Sequence, residues 1–251
     1  MIQMRRQSKI QFHKYLRKIP KFSRSYIFGT GPSLDQAFQY DFSDGYRIVC
    51  NTIVKNLELL DHIKPHFIVA ADPIHHFENN LHAHKFLLDL KFVLEKFDIL
   101  LLTVDDYYPY LKYYYPSIAE RTVPLNNDVN KISLNMKSEL SYTNLHNILN
   151  SLLLPLGSSL ANEIYLLGFD GRSTEDVLFW KNSMNNSYSR LKPCIQLAHP
   201  AFFKLMNFEE YAKVQSDSAE LLMTMGEKIG KKYFCINETN IPSLKTRQLY
   251  R

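Results

Sequence analysis

Two glycines and a serine, in Gly29-Thr30-Gly31-Pro32-Ser33-Leu34, are the first residues whose types and spacing suggest chemistry. The glycines let the backbone turn sharply and approach a ligand closely. Ser33 is a candidate N-cap, so the loop runs into a helix N-terminus, where free N–H groups and the helix dipole attract phosphate. The spacing departs from the usual dinucleotide fingerprint, and the lysine of a P-loop is missing. Taken alone, the loop fits an ordinary strand-to-helix turn as well as it fits a nucleotide site.

Three further segments carry isolated polar residues behind apolar runs: Cys50-Asn51-Thr52, Ala71-Asp72-Pro73-Ile74-His75-His76 and Gly168-Phe169-Asp170-Gly171. One such residue is a turn former; four polar loops converging on one edge make a site. A long polar segment, 171–200, holds the only tryptophan, Trp180, with Lys181, Asn182, Tyr188, Arg190, Lys192 and His199. A loop of that length inside a compact domain reads as a lid or binding segment. His199 is the general-base candidate, because an unperturbed imidazole titrates near neutrality. His75, His76, His82 and His84 lack the spacing of a zinc motif, and the last two would lie on different faces of a helix. They are expected as exposed or lining histidines. The tyrosines from Tyr107 to Tyr115 are able to stack on sugars or bases, but a packed, half-exposed helix face is the reading preferred.

The elements that must hold these residues follow from the apolar pattern. Strand candidates are Ser25–Phe28, Arg47–Asn51, Phe67–Ala70, Ile99–Val104, Glu163–Leu167 and Lys232–Ile236; helix-like stretches are Ser33–Tyr40, Val54–Leu60, Phe77–Phe97 and Thr143–Leu154. Alternating strands and helices predict an α/β fold, a mostly parallel sheet covered on both faces. In such sheets ligands bind outside the carboxyl ends of the strands, where Asn51, Asp72 and Asp170 fall.

The chain of 251 residues, 45% hydrophobic and 22% charged, is long enough for one large domain with a lid. No apolar run approaches the ~18–20 residues of a membrane span, and the N-terminus has no apolar signal core. Cys50, Cys194 and Cys235 have no metal-ligand spacing and are expected as reduced thiols in or near the core, in a cytoplasmic setting. The net charge of +5 is concentrated early: Arg5, Arg6, Lys9, Lys14, Arg17, Lys18, Lys21 and Arg24 all precede the first acidic residue, Asp35. Residues 1–24 are therefore expected as a basic arm, either solvated or lying as an amphipathic helix on an anionic membrane surface at its inner face. Nucleic acid ranks last, since no zinc module or helix-turn-helix pattern accompanies the charge. Residues 25–251 are expected as a single domain with a lid at about 171–210.

The order of motifs resembles a known family. Ser25–Leu34, Arg47–Asn51, Phe67–Pro73 and Glu163–Asp170 are similar to the bacterial sialyltransferases of glycosyltransferase family 42 and to the related motility-associated-factor group, which includes archaeal pterin pyrophosphokinases. The resemblance implies a Rossmann-like fold with a lid, a CMP-activated nonulosonic acid (sialic acid or a relative) as donor, a glycan or lipid-linked glycan as acceptor, and no cofactor or metal. It implies that Gly29, Thr30, Gly31, Pro32 and Ser33 lie near the nucleotide with Asp72, and that Asn51 faces ribose or phosphate. Thr143 and Asn144 would occupy the helix start that touches the donor. Asp170 would match the family's Gly-x-Asp, Tyr188 a lid tyrosine on the leaving phosphate, and His199 the lid base. The chain departs where the family usually has Asn, at Thr30 and Asp72, and where it has Thr-Ser-Gly, at Thr143-Asn144-Leu145. Two rival readings stand beside it: an ATP- and magnesium-dependent pyrophosphokinase with Asp72 and Asp170 as metal ligands, and a non-catalytic assembly protein of the same fold. A homo-oligomer is compatible with each.

Overall fold

The computed structural model describes residues 2–173, 176 and 182–249. Eight parallel strands form one sheet: β1 (Arg24–Phe28), β2 (Gly45–Cys50), β3 (Phe67–Val69), β4 (Leu100–Val104), β5 (Thr122–Asn127), β6 (Ser141–Tyr142), β7 (Glu163–Leu167) and β8 (Lys232–Cys235), in the order β6-β5-β4-β3-β2-β1-β7-β8. The central strands read as unbroken apolar runs because both faces are covered, and all five residues of β4 are buried. Ile27 of β1 sits between Ile48 of β2 and Leu166 of β7. The order runs outward from β1 to β6 and then returns to β7. The switch point thus lies between β1 and β7, where the crevice of a doubly wound sheet opens.

The helices are α1 (Ile2–Leu16), α2 (Leu57–Ile63), α3 (Pro73–His76), α4 (Leu81–Lys96), α5 (Tyr108–Tyr114), α6 (Pro116–Ala119), α7 (Met136–Glu139), α8 (Leu154–Leu160), α9 (Lys192–Ala198), α10 (Pro200–Leu205), α11 (Phe208–Glu227) and α12 (Pro242–Lys245). Short polar side chains start the longest ones. Asn80 accepts from the Ala83 N–H, and Asn207 from those of Glu209 and Glu210. Among the described residues no helix is long and apolar enough to cross a membrane.

Two of the strands, β5 and β6, are absent from the sequence-based expectation. β5 contains Pro124, which cannot donate to a ladder; it pairs with Thr103 of β4, while the two residues of β6 reach only Asn126 and Asn127. The expected helix from Thr143 begins instead at Ile148. Its first turn is wide, with Leu149–Leu153 in π geometry ahead of Pro155, which lacks an N–H for the regular ladder.

The basic N-terminal segment is part of the core. Phe12 is fully buried, Tyr15 and Ile19 nearly so, and the first two rings meet Phe67 at 5.8 and 5.7 Å. The Tyr15 hydroxyl lies 2.5 Å from the Asp98 carbonyl and 3.0 Å from that of His66, at the amino ends of β4 and β3. The apolar side of α1 expected to face solvent or a membrane is therefore covered by the sheet, while Lys9, Lys14, Arg17 and Lys18 stay exposed. At the opposite border, β8 is closed by the tail: Cys235 N donates to Arg247 O, and Leu249 N donates back to Cys235 O. Arg247 is held there by Glu220 and Glu227 at 2.6 and 2.7 Å.

Candidate functional site

At the switch point the β1 and β7 loops are packed backbone on backbone. Gly29 N donates to Leu167 O and Gly31 N to Gly168 O, at 2.8 and 2.9 Å. Gly168 has φ 84, and a Cβ there would stand 2.4 Å from Gly29 O; a Cβ on Gly31 would stand 2.0 Å from Asp170 Oδ2. Only glycine fits either position. Asp170 Oδ1 accepts the Ser33 N–H at 3.1 Å, and its Oδ2 accepts the Ser33 hydroxyl at 2.9 Å. The carboxylate holds the glycine loop in shape, which makes Asp170 a positioning residue in this geometry. The turn after Pro32 is 3-10 rather than α, covering Pro32–Gln39, and Ser33 sits inside it, with Gly31 at the cap position.

Asn51, the residue after β2, is in a left-handed conformation, φ 50, and its Oδ1 is buried with no hydrogen-bond partner among the described residues. A non-glycine residue at positive φ with an unfilled acceptor is the kind of feature that persists at functional sites. Arg172, two residues beyond Asp170, likewise has a buried Nε without a partner among the described residues.

Residues 182–188 lie on the glycine loop. Thr30 Oγ1 donates to Asn182 Oδ1 at 2.8 Å, and Ser183 N donates to Thr30 O at 2.9 Å. Asp35 accepts from the Ser183 hydroxyl at 2.8 Å and from the Asn186 amide at 3.3 Å. Thr52 donates to Asn186 O, and Lys55 to Met184 O and Ser187 O. Tyr188 is buried, stands edge-on to His82 at 5.1 Å, and donates its hydroxyl to Asp89 Oδ2 at 2.7 Å. Burial first, and then Asp89, push its pKa far above the usual tyrosine range. Tyr188 thereby joins this segment to α4. Trp180 and Lys181 lie outside the described residues, and Arg190 stands exposed just before α9.

Asp72 follows β3 and caps α3. Its Oδ1 accepts the His75 N–H at 3.0 Å, and the His75 Nδ1 lies 3.0 Å from the same oxygen. Burial works to raise the Asp72 pKa, but the His75 hydrogen bonds and the neighbouring imidazoles of His75 and His76 outweigh it and hold the carboxyl well below the usual range. His76 and His82 are buried, contrary to the expectation of exposed or lining histidines; burial takes His76 down to about 3. His76 packs against Phe86 at 4.4 Å, and His82 Nδ1 lies 2.9 Å from His75 O. Tyr107 stacks on Phe77 at 4.6 Å.

The structure separates the remaining candidates. Thr143 does not begin a helix: it follows β6, and its hydroxyl donates to Lys131 O at 2.7 Å. Asn144 Oδ1 accepts the His146 N–H, and Asn147 caps the helix that follows. Strand pairing of β6 draws this stretch into the sheet and displaces the helix start. His199 joins α9 to α10, half-buried, with its ring 5.2 Å from Phe202. α9 packs against α3 and α4, so the segment that His199 ends lies beside the helix that Asp72 caps. Asp35, Arg172 and the Asp72–His75 pairing were missed from sequence. Asp35 was findable, as the acidic residue in the turn that the glycine loop enters. Cys50, Cys194 and Cys235 are free thiols, and burial pushes the first and last up to about 12.

No protein-family model matches the chain, and no curated protein matches it significantly. Solved structures do. The sialyltransferase CstII from Campylobacter jejuni in complex with the substrate analogue cytidine-5'-monophosphate is 14% identical, with a TM-score of 0.44 over 90% of this chain and 88% of that one. The CstII complex with CMP-3FNeuAc is also 14% identical, at 0.44 over 92% and 90%. An apo alpha-2,3-sialyltransferase from Campylobacter jejuni is 12% identical, at 0.47 over 93% and 85%.

Proposed function

We propose that the chain is a sialyltransferase-like glycosyltransferase that moves a nonulosonic acid from a CMP-activated donor to a glycan hydroxyl. The observation that carries the reading is Asn51, held at φ 50 after β2 beside the glycine loop, with a buried amide oxygen that has no partner among the described residues. An acceptor fixed there suits a ribose hydroxyl. The Gly29–Ser33 loop offers backbone to the nucleotide, and the Arg172 guanidinium is a cation available to the leaving phosphate. Loss of the CMP phosphate from the anomeric carbon builds negative charge on phosphate, and a base takes the acceptor's proton as the new bond forms. The motif order from Ser25 to Asp170 supports CMP as the nucleotide and an acidic sugar as cargo.

The test is thermal stability against CMP, CDP, UDP, GDP, ATP and NAD, each with and without magnesium. A ligand at ~100 times its Kd raises stability by about 2.7 kcal/mol. Selective stabilisation by CMP without magnesium, followed by CMP release from a CMP-sugar, supports the proposal; stabilisation by ATP only with magnesium replaces it with the pyrophosphokinase.

A further inference from the structure

Between Asp176 and Glu209 the chain has no Asp or Glu, while Lys181, Arg190, Lys192 and Lys204 all fall in that stretch. Arg190, Lys192 and Lys204 are exposed. The same stretch holds α9 and α10, and both leave apolar side chains outside. In α9, Ile195 is buried at 2%, while Leu197, two residues on and so ~200° round the helix, is 82% exposed. In α10, the Phe202 ring packs on those of Phe208 and Tyr211 at 5.5 and 6.0 Å, while Leu205 is 82% exposed and Met206 beside it 38%. Single exposed leucines are ordinary on a soluble surface. Two of them among three exposed cations, in a stretch free of carboxylates, form a different pattern. Other faces lack the combination. α4 exposes Leu88 and Phe92, but its Lys85 is paired with Asp89 at 2.6 Å and its Lys91 with Glu95 at 3.8 Å. α1 exposes Lys9, Lys14 and Arg17, but its Phe12, Tyr15 and Ile19 are buried against the sheet.

We propose that α9 and α10 form a contact surface for an anionic lipid bilayer. Leu197, Leu205 and Met206 enter the headgroup boundary, and Arg190, Lys192 and Lys204 pair with lipid phosphates. The chemistry of the patch selects this partner. A soluble polyanion engages the cations and leaves the leucines in water, and a neutral apolar partner leaves the cations without counter-charge. An anionic bilayer takes both, since binding there sums buried apolar area and attraction to charged headgroups. α1 then adds charge but no insertion, because its apolar side belongs to the core. α9 packs on α3, which follows the carboxyl end of β3, so the contact adjoins the sheet edge at which the nucleotide site is proposed. The surface itself does not depend on the transfer chemistry.

The experiment is co-sedimentation of the full chain with vesicles of phosphatidylcholine alone and of phosphatidylcholine mixed with phosphatidylglycerol, over a salt series, with the thermal midpoint of each variant as the folding control. Wild type should bind the mixed vesicles, leave the neutral ones in solution and be released as salt rises. The pair Lys192→Gln and Lys204→Gln should weaken partitioning about fivefold for each charge removed. The pair Leu197→Ser and Leu205→Ser should weaken it about tenfold for each leucine. Two control pairs, Lys14→Gln with Arg17→Gln in α1 and Leu88→Ser with Phe92→Ser in α4, should change it by less than either. Equal binding to both kinds of vesicle, or none to the mixed ones, overturns the proposal. So does a loss confined to either control pair, which assigns the contact to α1 or α4. Retention on a soluble polyanion such as heparin without vesicle binding also overturns it and makes the partner a polyanion. Vesicle binding by a chain that shows no CMP response supports the surface and counts against the glycosyltransfer reading alone.

Discussion

The two ends of the same sheet use the same residue types to opposite effect. At the amino end, the Arg47 guanidinium donates to the carbonyls of Phe42, Gly45 and Lys64, and the Arg47 amide donates to His66 Nδ1. Arg121 is paired with Asp98 at 2.7 Å, and Tyr15 closes the gap between β3 and β4. At the carboxyl end, an arginine nitrogen and an asparagine oxygen are buried without partners among the described residues, and a non-glycine residue is held at positive φ. Polar groups that are mutually satisfied cement a structure; those that fold into place unsatisfied point to a ligand that completes them. The contrast between the bonded Arg47–His66 pair and the unfilled Asn51 oxygen separates the two ends.

Four substitutions sharpen or break that contrast. The largest effect is expected from Phe12→Ala, which empties a fully buried ring site under β3 and should cost about 3–5 kcal/mol in denaturant unfolding. A loss under ~1 kcal/mol would return α1 to the status of an arm. His66 comes next. Burial, with help from Arg47, lowers its pKa to about 3, so the folded state stays neutral where the unfolded chain, at about 6.5, takes up a proton. The unfolded state then binds more protons between those values, and stability falls as pH drops below 6.5. Wild type should lose on the order of 1–2 kcal/mol more than His66→Gln between pH 7 and pH 5; parallel curves would remove His66 from the amino-end network. Asp35→Ala releases Ser183 and Asn186 and should cost about 1 kcal/mol globally, with protection of the 182–188 amides from hydrogen exchange lost first. The smallest stability change belongs to Asn51→Gly, within ~1 kcal/mol of wild type or above it, because glycine accepts φ 50 without strain. Its CMP response should nevertheless collapse, and an unchanged response would show that the orphan oxygen serves no ligand.

Strands with an unbroken apolar run were legible because two covered faces leave no room for polar alternation, and so were the loops that follow them. β5 was hidden by its proline and its two asparagines, and β6 by being two residues long. The helix α11, 20 residues long, escaped notice although Asn207 caps it: its buried face includes Gln215, Ser216 and Gly226, which break the apolar stripe. At the site, the loop residues were found, but not their pairings. Whether Asp170 faces a ligand or Ser33, and Tyr188 a phosphate or Asp89, depends on distances across 137 and 99 positions of chain. No local pattern encodes those.

The tail that bridges to Cys235 has a meaning for solubility. An open parallel sheet offers a row of unpaired amides and carbonyls at each border, a template on which another chain can add a strand. One border here is trimmed to the two residues of β6. The other would present all of β8, and the segment around Arg247, Gln248 and Leu249, clamped by Glu220 and Glu227, lies across it. That segment acts as a guard: a chain shortened to residue 246 should keep its core and begin to aggregate edge to edge.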